Sequence, residues 1–259
     1  MALLQFILTQ KTKNNQLTNE HMNKSKICLI TGGTGGIGYH LSIGFLNAGY
    51  KVIALDVQQH KSLPESIVFK LLDLADENNI IRVFKEIIEE IGQPNILINN
   101  AGIAHFNKPI TAITSAEFDH ILDIDLRGAF LTCREFIKAN KNVSYGRIIN
   151  IASTRWNQNE ANWEAYGAAK GGLVSLTNSL CVSLSDTAIT ANAISPGWIA
   201  TKDYDQLTET DHQQHPSGRV GIPRDILNAC LFLAHEENDF INGVNLVVDG
   251  GMTKRMIYF

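Results

Sequence analysis

Apolar residues along this chain fall into short runs that alternate with longer stretches of helical period. Residues 27–30 form a first run, followed by a glycine-rich turn at 31–38 and a helical pattern through Ala48. A second run, 50–55, ends at Asp56, and a third, 67–72, ends at Asp73 and Leu74. Ile80, Phe84, Ile87, Ile88 and Ile91 then make one helical stripe with charges opposite, which predicts a helix packed on a sheet. Gly92, Gln93 and Pro94 break that helix, and residues 95–98 are a fourth strand running into Asn99-Asn100-Ala101-Gly102. Thr114-Ser115-Ala116-Glu117 has the form of a capping box opening a helix that extends to about Asn140. A fifth strand (147–152), a helix from Trp163 to about Ser185, a sixth strand (189–194), a helix behind Pro223 (224–234) and a last strand (244–248) complete the order. Strands alternating with helices predict an α/β fold: one parallel sheet with helices on both faces, joined by right-handed crossovers.

Three stretches stand outside this alternation. Residues 1–24 are polar after an apolar start and read as a flexible extension before a single domain spanning 25–259, with Met22 an alternative start. Residues 198–220 are polar without a clear period and read as a lid over the domain. The last residues, Met256-Ile257-Tyr258-Phe259, are apolar and are expected to pack on the body or on a neighbouring subunit. No internal repeat or low-complexity tract is present. A chain of 259 residues with 44% hydrophobic and 19% charged residues can bury one sizeable core.

A formal net charge of -4 argues against a nucleic-acid partner held by a basic surface and favours a small molecule. No apolar run is long enough for a membrane span, and the N-terminus lacks the basic start and cleavage site of a signal peptide. The four cysteines are scattered with no C-x-x-C pair, which points to a reducing cytoplasm. No metal site is expected, because the histidines lack ligand spacing; His212 and His215 lie in the polar loop with no third ligand.

The chemistry concentrates between the strands and the helices after them. Thr31-Gly32-Gly33-Thr34-Gly35-Gly36-Ile37-Gly38 lies between a strand and a helix, so its backbone can turn tightly and let a pyrophosphate approach the helix start. Asp56 ends the next strand, where an acid hydrogen-bonds a ribose 2′-hydroxyl and repels a 2′-phosphate; NAD is therefore favoured over NADP. Further along, Tyr166 and Lys170 stand four apart on one helical face, about a turn from each other. A fixed ammonium beside a phenol favours the phenolate and suits the pair to proton exchange. Ser153, after the fifth strand, lies where open α/β sheets put their chemistry. A lone Tyr-x-x-x-Lys is otherwise an ordinary solvated helix face, so the signal lies in the whole series.

That ordered series resembles the classical short-chain dehydrogenase/reductase family from about Lys26 to the C-terminus. Its members are Thr31-Gly32 through Gly36 and Gly38, Asp56, Asp73, Asn99-Asn100-Ala101-Gly102, Ser153, Tyr166 with Lys170, and Pro196-Gly197 with Thr201. The resemblance implies a single-domain, doubly wound Rossmann-type sheet of about seven strands and hydride transfer between a nicotinamide cofactor and a small alcohol or carbonyl. It implies Tyr166 as acid/base, Ser153 orienting the reacting oxygen, and Lys170 tuning Tyr166 and holding the nicotinamide ribose. Ile37, Leu74, Ala101, Gly102 and Ile199 join the expected cofactor contacts. Where the family usually carries Asn in N-x-x-G, holding a water that relays protons to the lysine, this chain has Asp125, which when ionised cannot donate. Three outcomes stand open: that a backbone carbonyl holds the water instead, that the relay is lost, or that a buried Asp125 pairs with Lys170 and changes the pH optimum. His105, Arg155, Trp156 and Trp198 are candidate substrate contacts, Arg155 as a reader of an anionic substrate. A homodimer or homotetramer is implied, and the leucines 173, 176, 180 and 184 suit either its interface or the core. The alternative is a nucleotide-sensing or scaffold protein without turnover, for which Asp125 is the one residue that speaks.

Overall fold

The architecture is that of a computed structural model, which describes residues 25–104 and 107–256. The predicted N-terminal extension, His105 and the last three apolar residues lie outside the described residues.

Seven strands form one all-parallel sheet: β1 (Ile27–Thr31), β2 (Lys51–Asp56), β3 (Val68–Leu71), β4 (Ile96–Asn99), β5 (Gly146–Ile151), β6 (Ile189–Pro196) and β7 (Asn245–Val248). Their order is β3-β2-β1-β4-β5-β6-β7. The chain leaves β1 in one direction for β2 and β3, then returns to the other side of β1 at β4. That reversal opens a crevice at the carboxyl ends of β1 and β4, where doubly wound folds bind their ligands.

Both faces of the sheet are covered, which is why its strands read as nearly continuous apolar runs. Leu29, Ile53, Leu97 and Ile148 point to the face covered by α2 (Glu77–Glu90) and α4 (Ala129–Ala139), packing with Phe84, Ile87 and Phe136. Their neighbours Cys28, Ile30, Val52, Ile96 and Ile149 point the other way, to α1 (Gly36–Asn47) and α7 (Pro223–Ala234), meeting Leu41, Phe45, Ile226 and Leu233. Within α2, Ile80, Phe84 and Ile87 are buried as expected, but Val83 completes the stripe and Ile88 is exposed. The predicted helix to residue 140 is three pieces: α3 (Ser115–Leu122), a π-helical segment (Asp123–Gly128) and α4. Its capping box is present, with Thr114 Oγ1 accepting from Glu117 N and the Glu117 carboxylate from Thr114 N.

α5 (Glu164–Ser183) packs Leu173 into the core; Leu184, just past its end, is buried too, and Leu176 and Leu180 are partly buried. The aperiodic stretch after β6 holds more structure than its composition suggests. Ile199 bridges Gly221, residues Tyr204–Gln206 make a 3-10 turn, and α6 (Glu209–Gln213) starts at a capping box of Thr208 and Asp211.

Candidate active site

The crevice at the β1/β4 reversal is a cavity of about 590 Å³ lined by Thr31, Gly32, Gly36, Ile37, Asp56, Asp73, Leu74, Asn100, Ala101, Gly102 and Thr201, all expected cofactor contacts. Its floor is built where two loops meet, joined by the side chains of Thr31 and Asn100. Thr31 Oγ1 accepts from the N–H groups of Asn100 and Ala101, 3.1 Å each, and Asn100 Nδ2 donates to the carbonyls of Thr31 and Gly32. Asn100 thus holds the glycine turn as well as lining the groove. A Cβ at Gly38 would stand 2.0 Å from the Gly32 carbonyl oxygen, so the helix start and the turn can touch only without side chains. Gly36 has a left-handed φ of +48°, and a Cβ there would meet nothing within 4 Å, so its backbone faces the open groove. α1 begins at Gly35 without a side-chain cap and without an acid in its first turn, leaving its leading N–H groups for a bound phosphate.

At the far end of the groove Asp56 is nearly buried. Its Oδ2 accepts from Thr34 Oγ1 at 2.8 Å and from Thr34 N at 3.2 Å, its Oδ1 accepts from Val57 N at 2.9 Å, and His60 Nε2 stands 3.6 Å from Oδ1. The carboxylate is therefore fixed in orientation before any ligand arrives. Thr34 lies inside the glycine turn after β1 and His60 in the segment after β2, and neither is marked in the sequence as a partner of Asp56; the pairing of β1 with β2 brings them there. A groove with glycines where its two loops touch, an uncapped helix start and a fixed carboxylate at one end fits a dinucleotide.

Lys170 lies beneath this groove, about 3% exposed. Its Nζ donates to the Ile151 carbonyl at 3.2 Å, at the end of β5, and stands 3.3 Å from Asp125 Oδ2. Asp125 is buried on the π-helical segment, and its Oδ1 accepts from Ile103 N at 2.7 Å. A Cβ at Gly102 would fall 2.8 Å from Asp125 Oδ2 and 2.9 Å from Lys170 Nζ, so the groove wall passes directly over the ion pair. Burial pushes the Lys170 ammonium down, but the Asp125 carboxylate and then Tyr166 push it up by more, and its pKa is raised. The Lys170 Nζ is 5.5 Å from the centre of the Tyr166 ring, whose other side meets Trp163 edge-on at 5.7 Å.

Ser153 extends from β5 and caps a 3-10 turn (Thr154–Trp156), its Oγ accepting from Arg155 N at 3.3 Å. It lines a second cavity, of about 920 Å³, together with Arg155, Gly197 and Trp198. Trp156 does not line that cavity and is 39% exposed. Pro196, Gly197 and Ile199 do not line the cofactor groove: Pro196 ends β6, Gly197 faces the second cavity, and Ile199 packs on the core beside Gly221.

A buried polar chain joins the expected residues. Asn99 Nδ2 donates to Asn150 Oδ1, Thr132 Oγ1 to Asn99 Oδ1, and Asn150 Nδ2 to Thr177 Oγ1, at 2.7 to 2.9 Å. It ties β4 and β5 to α4 and to α5, the helix that carries Tyr166 and Lys170. Asn in an apolar run is the only sequence signal, and it does not name the partner.

A family model described as enoyl-(acyl carrier protein) reductase matches residues 32–253. An uncharacterized oxidoreductase of Thermotoga maritima is 37% identical, over 92% of this chain and 99% of that protein. Among solved structures, a short-chain dehydrogenase from Leptospira borgpetersenii with bound NAD+ superposes with a TM-score of 0.81 at 29% identity, covering 89% of this chain and 93% of that one. ElxO with NADP bound gives 0.82 at 29%, covering 90% and 100%.

Asp125→Ala leaves the Lys170 ammonium buried without its counter-charge. The expected loss is about 3–5 kcal/mol of unfolding free energy, read from urea denaturation. A wild-type midpoint in the alanine variant would show that the pair does not support the fold.

Proposed function

Because the chain belongs to the short-chain dehydrogenase/reductase family, and is an oxidoreductase that uses a nicotinamide cofactor, we propose that it interconverts a small alcohol and its carbonyl compound with NAD. The observation that carries this reading is the buried Lys170, held at the end of β5 one helical turn from Tyr166 and directly under the groove.

When bound, the nicotinamide supplies or accepts the hydride. The backbone of Gly32, Gly36 and Ile37 would carry the pyrophosphate, Asp56 the adenosine ribose, Asn100 to Gly102 and Thr201 the groove walls, and Lys170 the nicotinamide ribose. As a carbonyl carbon is reduced its oxygen gains negative charge, and the Tyr166 phenol gives that oxygen a proton; in the alcohol direction the phenolate removes it. Ser153 Oγ takes its acceptor bond from Arg155 N, which leaves the hydroxyl proton to donate to the same oxygen. The Lys170 ammonium stabilises the phenolate, and Asp125 keeps that ammonium charged. Asp125 thus has a role in the proposed site, which favours this reading over that of a protein without turnover.

Asp56 favours NAD because its carboxylate, turned into place by Thr34, would stand against a 2′-phosphate. We place the protein in a reducing compartment such as the cytoplasm, since all four cysteines are free thiols. We also propose a homodimer or homotetramer, built on the face where Phe130 is 46% exposed beside Leu122, Leu126 and Leu176. Among the described residues no helix is long and apolar enough to cross a membrane, and no cluster of metal ligands is present.

Purified protein incubated with a panel of alcohols should reduce NAD, and Tyr166→Phe should lower turnover about 10²- to 10⁴-fold while still binding NADH. Near-normal turnover in that variant would remove Tyr166 from the reaction. In a fluorescence titration NADH should bind at least about tenfold more tightly than NADPH, the size of effect expected from about 1.4 kcal/mol of charge repulsion; the reverse order would reassign the cofactor. The pH dependence is set by Lys170. Its raised pKa means that it keeps its proton to higher pH than a free lysine. Asp125→Asn removes the carboxylate that raises it, so the alkaline limb of the pH–kcat profile should move to lower pH. An unmoved limb would take Asp125 out of the proton path.

A further inference from the structure

The segment after Ser153 builds an unusual arginine into the wall of the second cavity. Arg155 lies with its guanidinium 4.1 Å over the Trp163 ring, and Trp163 in turn meets Tyr166 edge-on. Its backbone N–H is bound to Ser153 Oγ. The residue is therefore tied through its backbone to the Ser153 hydroxyl, and its guanidinium through Trp163 to the Tyr166 phenol, the two groups proposed to act on the reacting oxygen. A planar guanidinium on an aromatic face is held in orientation and cannot swing away as a lysine would.

Only part of that guanidinium is used. Arg155 Nη2 donates to Glu160 Oε1 at 2.8 Å, while Nη1 is buried and has no hydrogen-bond partner among the described residues. The Arg155 side chain is 22% exposed, that of Glu160 70%. A buried donor left unmade is costly, whereas an ion pair whose carboxylate stands mostly in solvent adds little. An oxygen pair that displaces Glu160 from Nη2 and uncovers Nη1 would satisfy both, in the fork geometry that suits a carboxylate. Arg255, whose guanidinium donates to the Gln213 carbonyl, adds a second positive charge to the wall of the same cavity, where Glu160 is the one acid among the described residues.

We propose that Arg155 is a specificity residue for substrates that carry a carboxylate beside the reacting carbinol or carbonyl, and that Glu160 is the counter-ion such a substrate displaces. This rests on the reading of the protein as an alcohol/carbonyl oxidoreductase. The substrate class is then hydroxy and oxo acids: the oxygen on the reacting carbon meets Ser153 and Tyr166, and the carboxylate lies on Arg155. A purely structural arginine, stacked on Trp163 to brace the loop, would have no preference between an acid and its ester.

The test uses short oxo acids, each beside its methyl ester, with the full-length enzyme and NADH. At least one acid should be preferred over its ester by about tenfold or more in kcat/KM, carried by KM. Arg155→Gln should bring that ratio down toward one, a fall of about ten- to hundredfold. Glu160→Gln, on the solvent side, should raise the ratio by removing the competing carboxylate. Equal use of acid and ester in every pair, or a preference that survives Arg155→Gln, overturns the proposal. Quenching of bound NADH fluorescence by the same acids keeps the two levels apart. Acid binding that depends on Arg155 without any turnover strikes the oxidoreductase reading alone, and turnover without acid preference strikes the carboxylate site alone. Neither turnover nor binding removes both.

Discussion

The burial of one ammonium organises this structure. Lys170, whose pKa is raised, is almost wholly removed from water, a transfer that costs a charged group several kcal/mol unless partners replace the lost hydration. The Ile151 carbonyl and the Asp125 carboxylate are those partners, and the elements that supply them are constrained accordingly. β5 ends where its carbonyl can accept from Nζ. The helix carrying Asp125 adopts a π-helical turn, the wide and rare form that recurs at functional sites. Gly128 closes that turn where a Cβ would stand 2.7 Å from Leu74 Cβ, so the segment lies directly against the groove. Gly102 has no side chain because the pair occupies the space one would fill. A neutral Asn at position 125 would offer a dipole; Asp125 offers a full charge, and the ammonium is held more firmly in its protonated form.

A second constraint works at the other end of the groove. Asp56 spends both carboxylate oxygens on protein donors, which fixes its direction at the cost of part of its hydrogen-bonding capacity. The remaining lone pairs face the groove with His60 alongside. Between the two ends, the Asn99–Asn150–Thr177 chain joins strands to helices with fully buried polar bonds, which demand their partners far more strictly than apolar contacts do. It fixes α5 against β5, and with it the relation of Lys170 to the Ile151 carbonyl.

Much of this is legible in the sequence because it is local. Strand ends at Asp56 and Ser153, the glycine turn, the capping box at Thr114 and the four-residue step from Tyr166 to Lys170 are all properties of contiguous residues. The pairing of Asp125 with Lys170 is open in the sequence as a consequence of burial, and it is present. Hidden from the sequence is whatever depends on distant chain segments meeting. Residues 115–139 keep an apolar pattern throughout, so one wide turn leaves no mark on their periodicity. Thr34 reaches Asp56 only through the pairing of β1 with β2, and His60 through the turn that follows β2. Val83 and Ile88 flank the stripe of Ile80, Phe84 and Ile87 on opposite sides, and which flank is covered depends on the tilt at which the helix meets the sheet, which the pattern does not contain. Helix α6 is different: Thr208-x-x-Asp211 is a capping signal that stands in the sequence, masked by the polar residues on either side.

The two cavities divide the labour of the fold between its halves. The first βαβ units and the loop after β4 build the cofactor groove, whereas the second cavity is walled by the segments leaving β5, β6 and β7. Residues 197–201 run between them, Gly197 and Trp198 facing one and Thr201 the other. Gly197 is needed there because a Cβ would come within 2.7 Å of Asp249 Cβ. Asp249 is itself the anchor of the C-terminal segment. Burial would raise its pKa, but bonds from Thr253 N and Oγ1 and from Gly251 N hold it below the usual carboxylate range. It therefore stays ionised and keeps Met252, Thr253 and Arg255 on the cavity wall. The cofactor groove has glycines at its closest approaches, Gly32, Gly38 and Gly102, where a Cβ would collide with backbone or with the ion pair, and these admit few substitutions. The wall of the second cavity is made of side chains on loops and on the C-terminal segment, which can change one at a time without disturbing Lys170, Asp125 or the turn above them.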